Sequence, residues 1–172
     1  WKKFDHPQFG EIELGGWKKM TGRVPPSFKL EETCHRNFAF TAYHADQMPL
    51  LELREVEAVA LGDGLWRVRA GVYNLRTIPT VTAQAAARRY GPRDRVEISG
   101  PGVEVVVGGT LRDRLSAPFE FVERQPQRLW VDGGVPGEGR VTFQWIVRGS
   151  GTVTVRYDSP RAVAVSATVE LR

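Results

Sequence analysis

The chain has 172 residues, 41% hydrophobic and 26% charged, with a formal net charge of +4. That length suits one ordinary domain with an appendage and can bury a core without metals or disulfides. No window approaches the roughly 18 uninterrupted apolar residues of a membrane span. The 24 basic and 20 acidic residues are spread along the chain rather than gathered in runs, which reads as a solvated mixed surface and not as a nucleic-acid footprint.

Trp1-Lys2-Lys3-Phe4-Asp5-His6-Pro7 has neither a starting Met nor the apolar core of a signal peptide, so the chain is expected to begin within a longer protein. Gly10-Glu11-Ile12-Glu13-Leu14-Gly15-Gly16 alternates like a short strand ended by a Gly-Gly turn, an edge in search of a sheet. Pro25-Pro26-Ser27 marks a helix start with Ser27 as N-cap, and Pro49 marks a stop, giving one helix over about 28–47. Leu30, Cys34, Phe38, Ala42 and Ala45 form a stripe at helical spacing, yet 38–43 is apolar on nearly every side. Such a helix wants neighbours on two faces. The domain boundary falls near Pro49, dividing the chain into 1–49 and 50–172.

From Leu51 onward the period changes to two. Val141, Phe143, Trp145 and Val147 share one face of a half-buried strand, and Val153, Val155 and Tyr157 alternate likewise after Gly149-Ser150, which predicts a hairpin. Val163, Val165, Ala167, Val169 and Leu171 line a last strand, and Trp66, Val68, Ala70 and Val72 an early one. Further strands are expected at 51–61, 96–99, 103–107, 119–122 and 129–131, with 81–90 a connection holding a helical turn. Seven to nine short strands at this spacing predict a mainly-β, immunoglobulin-like antiparallel sandwich, preceded by the short strand and the helix.

Chemistry is sparse. His6, His35 and His44 are the only histidines, and nine residues at about 100° each put the last two on opposite sides of the helix, so no zinc site is expected. Cys34, the single cysteine, sits on the apolar stripe as a small hydrophobe with no thiolate-stabilising neighbour. Glu11 and Glu13 face one side of an extended segment, where solvent exposure is the plainer reading than paired catalytic carboxylates. Trp66, Trp130 and Trp145 could form a sugar-stacking platform, but Trp66 and Trp145 take the apolar phase of their strands and read as core. Arg67, Arg69, Arg148 and Arg156 take the opposite phase, consistent with one basic sheet face.

The stretch Phe4-Asp5-His6-Pro7-Gln8-Phe9-Gly10-Glu11-Ile12-Glu13-Leu14-Gly15-Gly16-Trp17, followed by Arg23-Val24-Pro25-Pro26 and the helix from Leu30-Glu31-Glu32 to Arg36-Asn37-Phe38, resembles the end of the catalytic domain in bacterial zinc carboxypeptidases similar to carboxypeptidase A. In that group a β-domain follows, and Leu65-Trp66-Arg67-Val68-Arg69-Ala70 with Tyr73-Asn74 and Ile78-Pro79-Thr80 looks like its first hairpin and connection. The resemblance implies an exopeptidase whose zinc ligands and catalytic glutamate lie upstream of Trp1, in an extracytoplasmic setting. No catalytic or metal residue is assigned to this chain. It is expected to be a non-catalytic accessory module that packs on the catalytic domain of the same polypeptide and stabilises it, with zinc only in that domain. Interdomain contact candidates are Trp1, Phe4, Phe9, Trp17, Phe38, Phe40 and Tyr43. The alternative is an independent adhesion or binding sandwich for a carbohydrate, peptide or cell-surface ligand.

Overall fold

The computed structural model describes residues 1–111 and 120–172. By internal contacts the chain forms two compact units, residues 1–45 and residues 46–172.

In the first unit β1 (Lys2–His6) pairs antiparallel with β2 (Gly10–Leu14), Phe4 opposite Ile12. The strand expected to be an orphan edge therefore has its partner immediately upstream, across the Pro7-Gln8-Phe9 turn that Gly10 closes at φ 71°. A 3-10 turn (Ser27–Lys29) leads into α1 (Leu30–Asp46). Ser27 is not the cap: Pro26 holds that position without a side-chain bond, and the Lys29 amide donates to the Pro26 carbonyl at 2.8 Å. Proline fixes the entry by its restricted φ, which a serine hydroxyl would otherwise do by hydrogen bonding. Along α1, Asn37 and Thr41 bond back to the carbonyls of Thr33 and Asn37, and Glu32 pairs with Arg36 one turn on. No residue of α1 is buried, and Cys34 is exposed rather than packed as a small hydrophobe.

The second unit is an antiparallel β-sandwich. Its elements are β3 (Leu51–Gly62), β4 (Leu65–Asn74), α2 (Ala83–Arg88), β5 (Asp94–Ser99), β6 (Glu104–Leu111), β7 (Glu120–Val122), β8 (Arg128–Val131), β9 (Arg140–Arg148), β10 (Gly151–Ser159) and β11 (Ala162–Leu171). They form a five-stranded sheet in the order β3-β4-β9-β6-β7 and a four-stranded sheet in the order β11-β10-β5-β8. Phe119, part of the strand predicted over 119–122, lies outside the described residues. The helical turn expected in 81–90 is α2, capped by the Thr82 hydroxyl, which accepts from the Ala85 amide, and ended by Arg89 at φ 51°.

The predicted hairpin between 140–148 and 153–157 does not form. β9 pairs with β4 and β6, whereas β10 pairs with β11 and β5, so Gly149-Ser150 carries the chain from one sheet to the other. Gly149 has φ 134°, accepts from Trp66 Nε1 at 3.0 Å and donates to the Gly64 carbonyl. A turn signal specifies a reversal, but not which strand receives the returning chain. The true hairpin here joins β3 to β4 through Asp63 and Gly64, both at positive φ as a two-residue loop requires.

Bulges explain where simple alternation breaks. In β3 the register slips between Arg54 and Glu57, with Glu55 at φ 54°, so Leu51 and Leu53 pack against the core before the bulge and Val56 and Ala58 after it. In the β10–β11 ladder the slip between Tyr157 and Ser159 brings Ala162 onto the core and turns Val163, expected inside, outward to 84% exposure.

Between the sheets Val68, Ala70, Val72, Phe143, Trp145 and Val147 meet Val96, Ile98, Leu129, Val153, Val155 and Tyr157, all essentially inaccessible. Phe143 stacks on Trp145 and lies 6.1 Å from the Tyr157 ring. Gly108 makes room for Trp145, since a Cβ there would lie 2.6 Å from the indole and 2.4 Å from the Pro126 carbonyl, which accepts the Trp145 N–H at 3.1 Å. Asp94 is fully buried and accepts from Tyr157 Oη and Ser159 Oγ, each at 2.9 Å. Burial, and then the neighbouring Asp94 carboxylate, push the Tyr157 phenol far above its ordinary value.

Because the folded value is raised, this group's stabilisation is complete below the ordinary tyrosine value near 10 and is lost as pH rises beyond it, by about 1.4 kcal/mol per pH unit. Tyr157→Phe should lose about 1–3 kcal/mol at neutral pH, since Asp94 forfeits a donor, yet show a shallower decline above about pH 10. Denaturant titrations from pH 7 to 11 check this, and an unchanged alkaline slope would contradict it.

Candidate interaction surfaces

The sequence-expected polar candidates stay apart. His6 accepts from the Gln8 amide through Nδ1 at 3.1 Å, with its ring 4.8 Å from Phe9, so it closes the β1–β2 turn. His44 lies edge-on to Phe40 on α1. Glu11 pairs with Lys3 at 2.7 Å in the open, and Glu13 stands opposite Lys3 in the ladder. Among the described residues no three His, Cys, Asp or Glu side chains converge as metal ligands, and these donors do not fit a zinc site. Among the described residues no helix is long and apolar enough to cross a membrane.

The contact candidates form a different picture. Trp1, Phe4, Phe9, Trp17, Phe38, Phe40 and Tyr43 expose between 46% and 90% of their surface, and no residue in 1–45 is buried. Phe28, at 81%, belongs with them and was missed, although it stands at the predicted helix start. Each such ring is worth about 1.5–3 kcal/mol once covered, a gain this chain does not realise. Residues 1–45 thus carry unspent apolar surface out of proportion to their length.

On the sandwich the three tryptophans separate. Trp145 is core, Trp66 is half-buried with its N–H tied to Gly149, and Trp130 is 48% exposed on edge strand β8. Arg93 stacks over Trp130 at 4.6 Å and pairs with Asp132 at 3.2 Å. A cleft of about 650 Å³ opens beside the indole, bounded by Thr110, Leu111, Asp132, Gly134 and Arg140.

The four arginines do not make one face. Arg67, Arg69 and Arg148 lie outward on the five-stranded sheet, with Arg69 bonded to Gln144 and Arg148 near Glu104. Arg156 is on the other sheet, where its hydrogen bond holds the Asp158 carboxyl below its usual value. Near the β3 bulge Tyr73 lies between the Arg54 and Arg140 guanidinium groups, 5.4 and 5.5 Å from its ring, and its hydroxyl donates to Glu55 at 2.8 Å while accepting from Arg140. The Tyr73 hydroxyl raises the Arg140 value further, so that cation is permanent. Sequence alternation placed these residues outward but could not bring Arg140 to Tyr73, which needs the β4–β9 register.

The family model for the domain of unknown function DUF8731 matches residues 50–170. The chain belongs to that family. The match begins just before β3 and ends within β11, so the DUF8731 region coincides with the sandwich and leaves residues 1–45 outside it. No curated protein sequence matches the chain. Similar solved structures include DesR, a beta-glucosidase from Streptomyces venezuelae in complex with D-glucose, at 14% identity and TM-score 0.31 over 72% of this chain and 15% of that one. Another is the Bifidobacterium adolescentis GH3 beta-glucosidase, at 16% identity and TM-score 0.28 over 72% of this chain and 17% of that one. The chain therefore spans well under a fifth of either glucosidase, and scores this low transfer no activity to the DUF8731 sandwich.

Since every core residue lies in 46–172, removing residues 1–45 should leave the DUF8731 sandwich folded, with a melting temperature within about 4 °C of the full chain. Calorimetry of the two chains checks this; a drop of about 10 °C or more would show that the first unit supports the core.

Proposed function

We propose that this chain is a non-catalytic accessory module of a zinc-carboxypeptidase-like protein, in which residues 1–45 pack against the catalytic domain of the same polypeptide and stabilise it. The observation that carries the reading is the complete absence of burial in 1–45 despite eight large exposed aromatic rings there: Trp1, Phe4, Phe9, Trp17, Phe28, Phe38, Phe40 and Tyr43. The likeness of residues 4–38 to the end of a carboxypeptidase catalytic domain supplies the class of domain they would meet. In this reading the catalytic domain covers the rings that the hairpin and α1 present, and a stable interface of this kind buries about 800 Å² on each side. Zinc chemistry belongs to that partner domain, and the sandwich contributes rigidity and position only.

Two outcomes are expected. The chain alone, supplied with zinc and a blocked dipeptide, shows no hydrolysis above buffer; zinc-dependent turnover would overturn the proposal. In the parent polypeptide, Phe38→Glu with Phe40→Glu lowers the melting temperature of the catalytic domain by several degrees while the sandwich transition stays put. An unmoved catalytic transition would show that these rings meet something else. The half-exposed Trp130 favours a second reading, a binding sandwich in its own right.

A further inference from the structure

Residues 46–50 join α1 to β3, and hydrogen bonds to the 74–78 loop hold them at Asp46, Gln47 and Leu50. Asp46, the last residue of α1, already belongs to the second unit. Its carboxylate accepts from Arg76 Nη1 at 2.9 Å, from Arg76 Nη2 at 3.1 Å and from Gln47 Nε2 at 3.1 Å. Gln47 Oε1 in turn accepts from the Thr77 hydroxyl at 3.0 Å, and the Gln47 carbonyl accepts from the Ile78 amide at 3.2 Å. Pro49 is buried, and Leu50 closes the segment by donating its amide to Asn74 Oδ1 and accepting from the Leu75 amide.

The loop that holds this segment is itself fixed. Asn74 is buried and its side-chain amide donates to the Ile78 carbonyl at 2.8 Å, while the Arg76 carbonyl accepts from the Glu138 amide at 2.8 Å. The anchor for Asp46 is therefore part of the folded sandwich.

Such an anchor answers a weakness in α1. Its 17 residues bury nothing, so tertiary cover does not keep it wound, and Thr33, Cys34, Asn37, Thr41 and His44 are poor helix formers. Asp46 is moreover the wrong residue for its place, because a carboxylate at a helix C-terminus meets the negative end of the dipole. The paired Arg76 bonds offset this by bringing a guanidinium to the last turn. A helix whose final residue is already held also starts from an existing nucleus, and nucleation is the step that costs an isolated helix most.

We propose that residues 46–50 and the 74–78 loop form a latch by which the DUF8731 sandwich keeps the C-terminal turns of α1 wound before any partner arrives. The advantage is entropic: rings on a preformed helix lose less freedom on docking than rings on a chain that must first coil. The inference rests on the reading that α1 meets a partner domain. Its test needs no partner, so the latch can fail while that reading holds, and the Phe38 and Phe40 substitutions in the parent polypeptide can fail while the latch holds.

The experiment compares backbone carbon chemical shifts across residues 30–46 in the full chain and in two variants. Asp46→Ala discriminates because propensity and latch predict opposite signs. Alanine is the better helix former and takes a carboxylate away from the negative end of the dipole, so without a latch helicity rises. The latch predicts a fall instead, of about twofold or more in the helical fraction of residues 40–46, and a similar fall in Arg76→Ala. Arg88→Ala, on α2, should leave α1 unchanged. Melting curves show that the sandwich stays folded, which Asp46→Ala secures because that side chain is 54% exposed and outside the core. Helicity that rises or stays level in either latch variant would overturn the proposal.

Discussion

Phe143 from β9, stacked on Trp145, meets Tyr157 from β10 in the space between the two sheets, and the arrangement of the sandwich follows from that contact. Both are interior strands, one in each sheet, joined only by Gly149-Ser150, so the rings sit where the layers are widest covered. The fit is specific at either end. Gly108 is bare so that Trp145 can lie against β6, and the fully buried Asp94 on β5 receives the Tyr157 hydroxyl. An apolar core supplies most of the energy, while these two polar attachments, to Pro126 and Asp94, decide which arrangement of the rings is adopted.

Residues 1–45 obey a different constraint. Two five-residue strands and one helix bury nothing within themselves, and an isolated two-stranded hairpin is marginal in water. Their aromatic content is nevertheless high, and rings are costly to leave in solvent. The first unit thus holds exposed rings with no buried residue among them, whereas the second holds the whole core. The DUF8731 match follows the same division, since it begins after the first unit ends.

Much of the sandwich was legible because a strand buried on one face writes a period of two into the sequence, as β9 and β10 do with Phe143, Trp145, Val153 and Tyr157. What escaped has identifiable causes. Bulges shift the phase, so Val163 counted as core and is not. A turn signal at Gly149 fixed the reversal but not the sheet, so a crossover looked like a hairpin. Asp94 shares the inward phase of Val96 and Ile98, and that pattern could have marked it as a buried acid needing donors. The Trp130 cleft was harder: its wall brings together residues of β6, β8 and β9 that are distant in the chain, and period alone left Trp130 undecided. In the first unit the apolar excess on α1 was plain from Phe38-Ala39-Phe40, while the pairing of β1 with β2 was hidden by the charged, strand-poor run Lys2-Lys3-Phe4-Asp5.

Hydrogen–deuterium exchange along the full chain tests the division most directly. Amides of β4, β5, β9 and β10 should resist exchange up to the global stability of the sandwich, and those of β1, β2 and α1 should exchange orders of magnitude faster, as expected of elements without tertiary cover. Protection in α1 equal to that of β9 would mean that the helix already has its partner within this chain, and would contradict the account.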